Sequence, residues 1–241
     1  MMDEKLSRSA LVLGEAAMDR LAQVRVMIFG VGGVGGWCAE ALVRTGLKHL
    51  TLVDFDRVAA SNCNRQAMAV SSTLGELKVD ALKRRLLDIA PDASIETIPE
   101  KLLPENLPRF DLDAFDYVID AIDSVESKAA LIRGATVCPG VTLFSSMGAA
   151  LRLDPALVRA DEFRKVAGDG LAKALRGRFR KSGGMPEKPF VCVYSAEAPL
   201  VGEQAGRGSV MTVTAAFGLK LAQLVLADVK NSLAKPPRNM V

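Results

Sequence analysis

The chain has 241 residues, 49% hydrophobic and 24% charged. That balance can bury a full core, suits one large domain or a domain with an appendage, and excludes an intrinsically disordered chain. The formal net charge of +3 permits an anionic partner without requiring one.

The opening MMDEKLSRSALVLGEAA is charged and lacks a long apolar run ending in a small-residue cleavage site. No secretory signal is expected, and the mature chain is expected to start here. Val24 to Phe29 reads as a buried strand interrupted only by Arg25, and Val34 to Arg44 carries helical spacing. The second strand is 50–53, and the next helix runs from Gly75 to Ile89. Further strands fall at 93–98, 116–122 and 141–146, with a helix from Glu126 to Val137 between the last two. Alternating strands and helices imply an α/β fold, a doubly wound Rossmann-like sheet that is mostly parallel.

Past Ala150 the pattern loosens. Asp161 to Arg178 reads as a basic helix, 180–189 as a Gly/Pro-rich loop, 190–195 as a strand and 235–241 as a frayed tail. Thr212, Thr214, Lys220 and Gln223 interrupt the apolar stretch 209–229, so it reads as a helix packed on the sheet and no membrane association is expected. Cys38, Cys63, Cys138 and Cys192 form no C-x-x-C pair, which argues against a zinc knuckle or a disulfide framework and fits a reduced, cytoplasmic setting. His49, the only histidine, precedes a strand and reads as a surface residue, leaving no second imidazole for a metal.

The chemistry concentrates in the first half. Gly30, Gly32, Gly33 and Gly35 form G-x-G-G-x-G between a strand and a helix, where backbone N–H groups and the positive helix end bind phosphate. Asp54 ends the second strand and is placed to accept hydrogen bonds from ribose hydroxyls. These features serve NAD, FAD, S-adenosylmethionine and ATP enzymes alike. Arg65 and Lys78 then add two cations where a triphosphate would extend, and Asp120 and Asp123 sit at the carboxyl end of a parallel strand. Two acids facing two cations across a phosphate chain suggest Mg²⁺ and ATP.

The glycine motif, the pair Asp54 and Asp56, "SNCNRQ", "GELK" and "VIDAIDS" resemble, in order, the ubiquitin-activating-enzyme-like adenylyltransferases of the ThiF and MoeB type. By that resemblance Gly32 and Gly33 approach the phosphates, Asp54 binds ribose, and Asn62, Arg65 and Lys78 hold the phosphate chain. Asp56 and Gln66 belong to the same nucleotide site, and Asp123 binds magnesium. Residues 1–150 would then form the ATP-binding part, and 151–241 a C-terminal extension with a crossover loop that completes the sheet of the same domain.

Within the superfamily "KLSRSALVLGEAAMDRL", "DAIDSVESKAALI", "SMGAALRLDP" and "VYSAEAP" followed by "GSV" resemble the tRNA threonylcarbamoyladenosine dehydratases. The resemblance implies ATP-dependent cyclisation of a modified adenosine beside the anticodon, a tRNA partner, and a homodimer in which Arg8 reaches the partner's ATP. It also leaves room for a sulfur-relay partner. The alternative is an adenylyltransferase for the C-terminal glycine of a ubiquitin-like sulfur carrier, but those relatives usually carry two zinc-binding C-x-x-C pairs that this chain lacks.

Relatives often begin with an arginine-aromatic pair where this chain has Lys5 and Leu6, and its crossover and the segment 204–207 are short. Cys192 lies in an apolar strand pattern and reads as a small hydrophobe, although relatives that use a thiol near the crossover leave a covalent role open. Between Arg159 and Lys188 nine bases face four acids, a cluster suited to tRNA phosphates or to a solvated helix face.

Overall fold

The computed structural model describes residues 4–200 and 208–233. Two short helices, α1 (Ser7–Leu13) and α2 (Glu15–Gln23), lead into β1 (Arg25–Phe29) and α3 (Gly35–Thr45). They are followed by β2 (His49–Val53), α4 (Lys78–Ile89), β3 (Ser94–Ile98), β4 (Tyr117–Asp120), α5 (Val125–Val137) and β5 (Thr142–Ser146). The remainder holds β6 (Val158–Glu162), α6 (Gly170–Lys181), β7 (Val191–Ser195) and α7 (Met211–Ser232).

Among the described residues seven strands form one sheet in the order β3-β2-β1-β4-β5-β7-β6. All neighbours are parallel except β6, which runs antiparallel to β7 at the edge. Parallel strands buried on both faces favour apolar side chains, and β4 is buried along its whole length, its last residue being the ion-paired Asp120. One apolar cluster joins the sheet to α2, α3, α4 and α7, and a second joins it to α5 and α6. The order reverses between β1 and β4. Such a switch point opens a crevice at the carboxyl ends of the strands, where ligands bind in sheets of this kind.

α7 is long and apolar enough to cross a membrane by length and composition, but it packs on α3. Gly218 permits the crossing: a Cβ there would stand 2.3 Å from the Val34 carbonyl oxygen. Glu40 of α3, 4% exposed, receives Arg44 at 2.8 Å and Arg85 of α4 at 2.7 Å. Burial alone would raise its carboxyl pKa, but the two guanidinium groups hold it below the ordinary value and tie α3 to α4.

The structure corrects two boundaries. The helix expected from Gly75 begins at Lys78, because Gly75 adopts a left-handed φ of 84° that ends the preceding turn. The basic helix expected over 161–178 is two elements. Its start belongs to β6, where Val158 and Ala160 pack on the core while pairing with β7, Phe163–Lys165 make a single 3-10 turn, and only Gly170–Lys181 is α-helical. Strand pairing overrides the local helical spacing of the charges, and Gly168 at φ 74° lies between the two elements. The expected tail at 235–241 and the segment 204–207 lie outside the described residues.

Candidate nucleotide and acceptor site

A cavity of about 770 Å³ opens at the switch point. Its walls come from the carboxyl ends of β1, β2 and β4, the 62–66 segment, the loop after β5 and the N-terminus of α6. Gly30, Gly32 and Gly33 line it. Gly30 has φ 84°, and a Cβ on it would meet the Ala121 carbonyl oxygen at 2.7 Å, so only glycine lets β1 and β4 close together here. Around Gly32 the nearest atom a Cβ would meet is Gln66 Nε2 at 3.7 Å, leaving the backbone open to an incoming group. Gly35 is different. It does not line the cavity, and a Cβ on it would fall 1.9 Å from the Gly30 carbonyl oxygen, so its part is the tight strand-to-helix turn rather than ligand contact.

Asp54 sits at the end of β2 with both carboxylate oxygens engaged. Val31 N–H donates to Oδ2 at 2.8 Å and Asp56 N–H donates to Oδ1 at 2.9 Å. Burial raises its pKa against the pull of these amides and of Lys78. The amides fix the carboxylate while a second lone pair on each oxygen remains for a diol. Lys78, the first residue of α4 and 8% exposed at its side chain, donates to Asp56 Oδ2 at 2.7 Å. Asp56 therefore orients the lysine at the cavity wall.

Asn62, Arg65 and Gln66 line the cavity together. Asn62 Oδ1 accepts from Ala59 N–H at 3.1 Å, which closes the local turn. Arg65 donates to the Ser61 carbonyl at 3.0 Å and to Asn64 Oδ1 at 2.7 Å. Its own carbonyl accepts from Trp37 Nε1 at 2.8 Å, so α3 holds the arginine segment in place. Gln66 is 7% exposed and its Oε1 has no hydrogen-bond partner among the described residues. An orphaned buried amide in a cavity wall fits a polar ligand group.

Asp123 lines the cavity as an exposed carboxylate. Asp120 does not join it. Asp120 is fully buried, accepts from Lys128 Nζ at 2.7 Å and Ser145 Oγ at 2.7 Å, and holds Ile122 N–H at 3.1 Å. The two expected acids thus separate: one faces the cavity, while the other supports its floor. Lys128, also fully buried, gave no sequence signal of this role.

The far wall consists of Ser146–Ala150 and the residues Gly170, Leu171 and Ala174 of α6. Asp169 caps α6 by accepting from Ala172 N–H at 2.8 Å and holds Gly148 N–H at 3.1 Å. Arg152, 4% exposed, lies 3.9 Å from the same carboxylate. Sequence reasoning missed Trp37, Arg152 and Asp169. The sole tryptophan on the helix just after the glycines was the one available signal.

Arg8 lies exposed on α1 and is not among the residues lining its own chain's cavity. His49 opens β2 and is exposed. Cys192 is fully buried in the second cluster, and burial pushes its thiol up to about 12, which makes it a poor nucleophile. Among the described residues no group of three or more His, Cys, Asp or Glu could hold a metal. Of the nine bases in 159–188, Arg164, Arg176 and Lys188 donate to backbone carbonyls and so serve the fold.

The sequence matches the ThiF family over residues 6–227. It is 33% identical over 217 residues to the tRNA threonylcarbamoyladenosine dehydratase of Escherichia coli, covering 88% of this chain and 81% of that one. It is 36% identical to the Bacillus subtilis protein of the same name, covering 83% and 78%. The crystal structure of the E. coli protein in complex with ATP superposes with a TM-score of 0.91 at 32% identity, covering 97% of each chain. The molybdopterin-synthase adenylyltransferase of Haemophilus influenzae matches only 56% of this chain, at 35% identity. The chain belongs to the ThiF family and, within it, to the tRNA threonylcarbamoyladenosine dehydratases.

Proposed function

We propose that this protein uses ATP to cyclise threonylcarbamoyladenosine beside the anticodon of tRNA, with net loss of water. The observation that carries the reading is the make-up of the cavity: Arg65, Lys78 and Asp123 line it, and no cysteine does among the described residues. The substrate carboxylate is ionised at neutral pH and attacks ATP phosphorus without a general base, expelling pyrophosphate or ADP according to the phosphorus attacked and leaving an acyl phosphoanhydride. The activated acyl carbon is then captured by the urea's own nitrogen or oxygen, which closes the ring as the phosphate-bearing group leaves and a urea N–H proton is released to solvent. The carboxylate oxygen departs with phosphate, so the water lost from the nucleoside appears in the hydrolysed anhydride.

The chain's part is binding and alignment. Asp54 accepts from the ribose hydroxyls, Gly32 and Gly33 bring backbone N–H groups to the phosphates, and Arg65 and Lys78 neutralise the charge that develops in transfer. Phe55, Leu102 and Val53 give the cavity an apolar side for the base. Asp123 is placed to hold Mg²⁺, which suits a single carboxylate because this ion usually keeps several waters and takes its remaining oxygens from substrate phosphates. Bound there, Mg²⁺ would supply charge neutralisation between the phosphate oxygens. The free cysteines and the tRNA substrate fit a cytoplasmic enzyme.

Mass spectrometry of nucleosides from modified tRNA incubated with the protein and ATP tests the reaction. Conversion of open to cyclic nucleoside that requires ATP is expected, and unchanged open nucleoside with folded protein sinks the reading. ATP with Mg²⁺ is also expected to raise the melting temperature where NAD does not, because a ligand that binds only the folded state stabilises it. Equal stabilisation by NAD contradicts the ATP assignment.

We further propose a homodimer in which Arg8 serves the partner's site, since it is exposed away from its own cavity. Mixing inactive Arg8→Ala with inactive Asp123→Ala chains is expected to restore activity, because one hybrid site then carries both native groups. Mixed dimers that form yet stay inactive count against a shared site.

A further inference from the structure

We propose that the outer face of α6, carrying Lys173, Gly177, Arg180 and Lys181, is the surface on which the tRNA backbone lies. The inference rests on the proposed reaction and adds where its polyanionic substrate is held. α6 contributes Gly170, Leu171 and Ala174 to the cavity wall from its first turns, and its later turns continue beyond the cavity lining. At 100° per residue, Lys173, Gly177, Arg180 and Lys181 fall on a stripe beside the cavity-lining one and opposite the buried Ala172, Leu175 and Phe179. A nucleoside reaching into the cavity would therefore bring its flanking phosphates over this stripe.

Three observations distinguish it from an ordinary solvated helix face. First, α6 carries five bases and no acid between Gly170 and Lys181. Arg176 is spent on the carbonyls of Phe163 and Val166, and Arg178 on Glu126 of α5. The side chains of Lys173 and Lys181 make no hydrogen bond or ion pair among the described residues, and Arg180 uses its Nε for the Arg176 carbonyl. Second, the macrodipole accounts for bases in the last turn but opposes one near the N-terminus, where Lys173 stands. Third, Gly177 sits mid-helix between these cations, and a Cβ on it would meet nothing within 4 Å. Packing does not require a glycine there, and it weakens the helix. A bare backbone lets a sugar-phosphate chain approach closely, which an exposed side chain would prevent.

Titrating the full-length protein with tRNA at several salt concentrations tests the surface. Lys173→Gln/Lys181→Gln is expected to weaken tRNA binding by about tenfold and to make the log–log salt slope shallower by about two, one for each lost phosphate contact. Lys83→Gln/Arg84→Gln on α4, at the other end of the sheet, changes the net charge equally and is expected to leave both quantities near wild type. Gly177→Leu, which keeps every cation and favours the helix, is expected to weaken tRNA binding by obstruction while preserving the thermal shift with ATP. Wild-type affinity and slope in both α6 variants, or an equal loss in the α4 variant, would overturn the proposal. Cyclisation by the wild type, followed alongside, reports on the reaction separately: intact tRNA binding with the expected slope change but no cyclisation would sink the reaction and leave the surface standing.

Discussion

Replacing Cys192 with alanine is expected to leave ATP-dependent cyclisation largely intact, while Arg65→Ala, Lys78→Ala and Asp123→Ala each lose about two orders of magnitude or more, the scale seen when preorganised electrostatic groups are removed. The contrast follows from where the groups stand. Cys192 is buried on β7, away from the cavity lining, with its thiol held protonated by burial. The ring-closing nucleophile is already tethered to the activated carboxyl, and such tethering can supply roughly 7–11 kcal/mol in favourable geometry, so a covalent enzyme intermediate has nothing to add. Developing charge on phosphate has no such substitute. The measurement is the ratio of cyclic to open nucleoside per unit time on modified tRNA. An inactive but folded Cys192→Ala protein, together with a thiol-linked intermediate trapped on the wild type, would make the carrier-activating relatives the better mechanistic guide.

The second large effect is on stability. Lys128→Met is expected to cost about 3–5 kcal/mol, because removing one partner of a buried ion pair strands the other charge. Lys128 and Asp120 are both fully buried and 2.7 Å apart, and Asp120 also carries Ser145 and the Ile122 amide. Adding Asp120→Asn to Lys128→Met is expected to restore much of the loss, since the amide oxygen can still accept from Ile122 while the uncompensated charge disappears. Urea midpoints at constant slope give both values. Strict additivity of the two changes would show that the pair is not coupled as described.

Much of this molecule is legible in its sequence because strand burial and glycine geometry are local. The runs at 24–29, 116–122 and 141–146 become β1, β4 and β5, and the glycines after Phe29 fall at the switch point because a strand-to-helix turn there tolerates little else. Asp54, Arg65, Lys78 and Asp123 converge on one cavity as their order suggests. What sequence spacing hides is partnership at long range. Asp120 looks like a sister to Asp123, and only the packing of α5 behind β4 brings Lys128 to neutralise it. Asp161 and Glu162 read as the start of a helix until β7 supplies an antiparallel partner and draws them into β6. The basic run looks uniformly available, yet Arg164, Arg176 and Lys188 prove to be bound to carbonyls. The partner of a charge is set by tertiary contacts that no window of sequence contains.

The bond from Trp37 to the Arg65 carbonyl has an optical consequence. Trp37 is the chain's single tryptophan, so light absorbed beyond the tyrosine band is emitted from one place, the junction between α3 and the arginine segment of the cavity. Indole emission responds to the polarity and hydrogen bonding of its N–H, and here that N–H is anchored to Arg65, a residue of the cavity lining. The unlabelled protein therefore carries its own spectroscopic reporter, and the filling of the cavity can be timed from within.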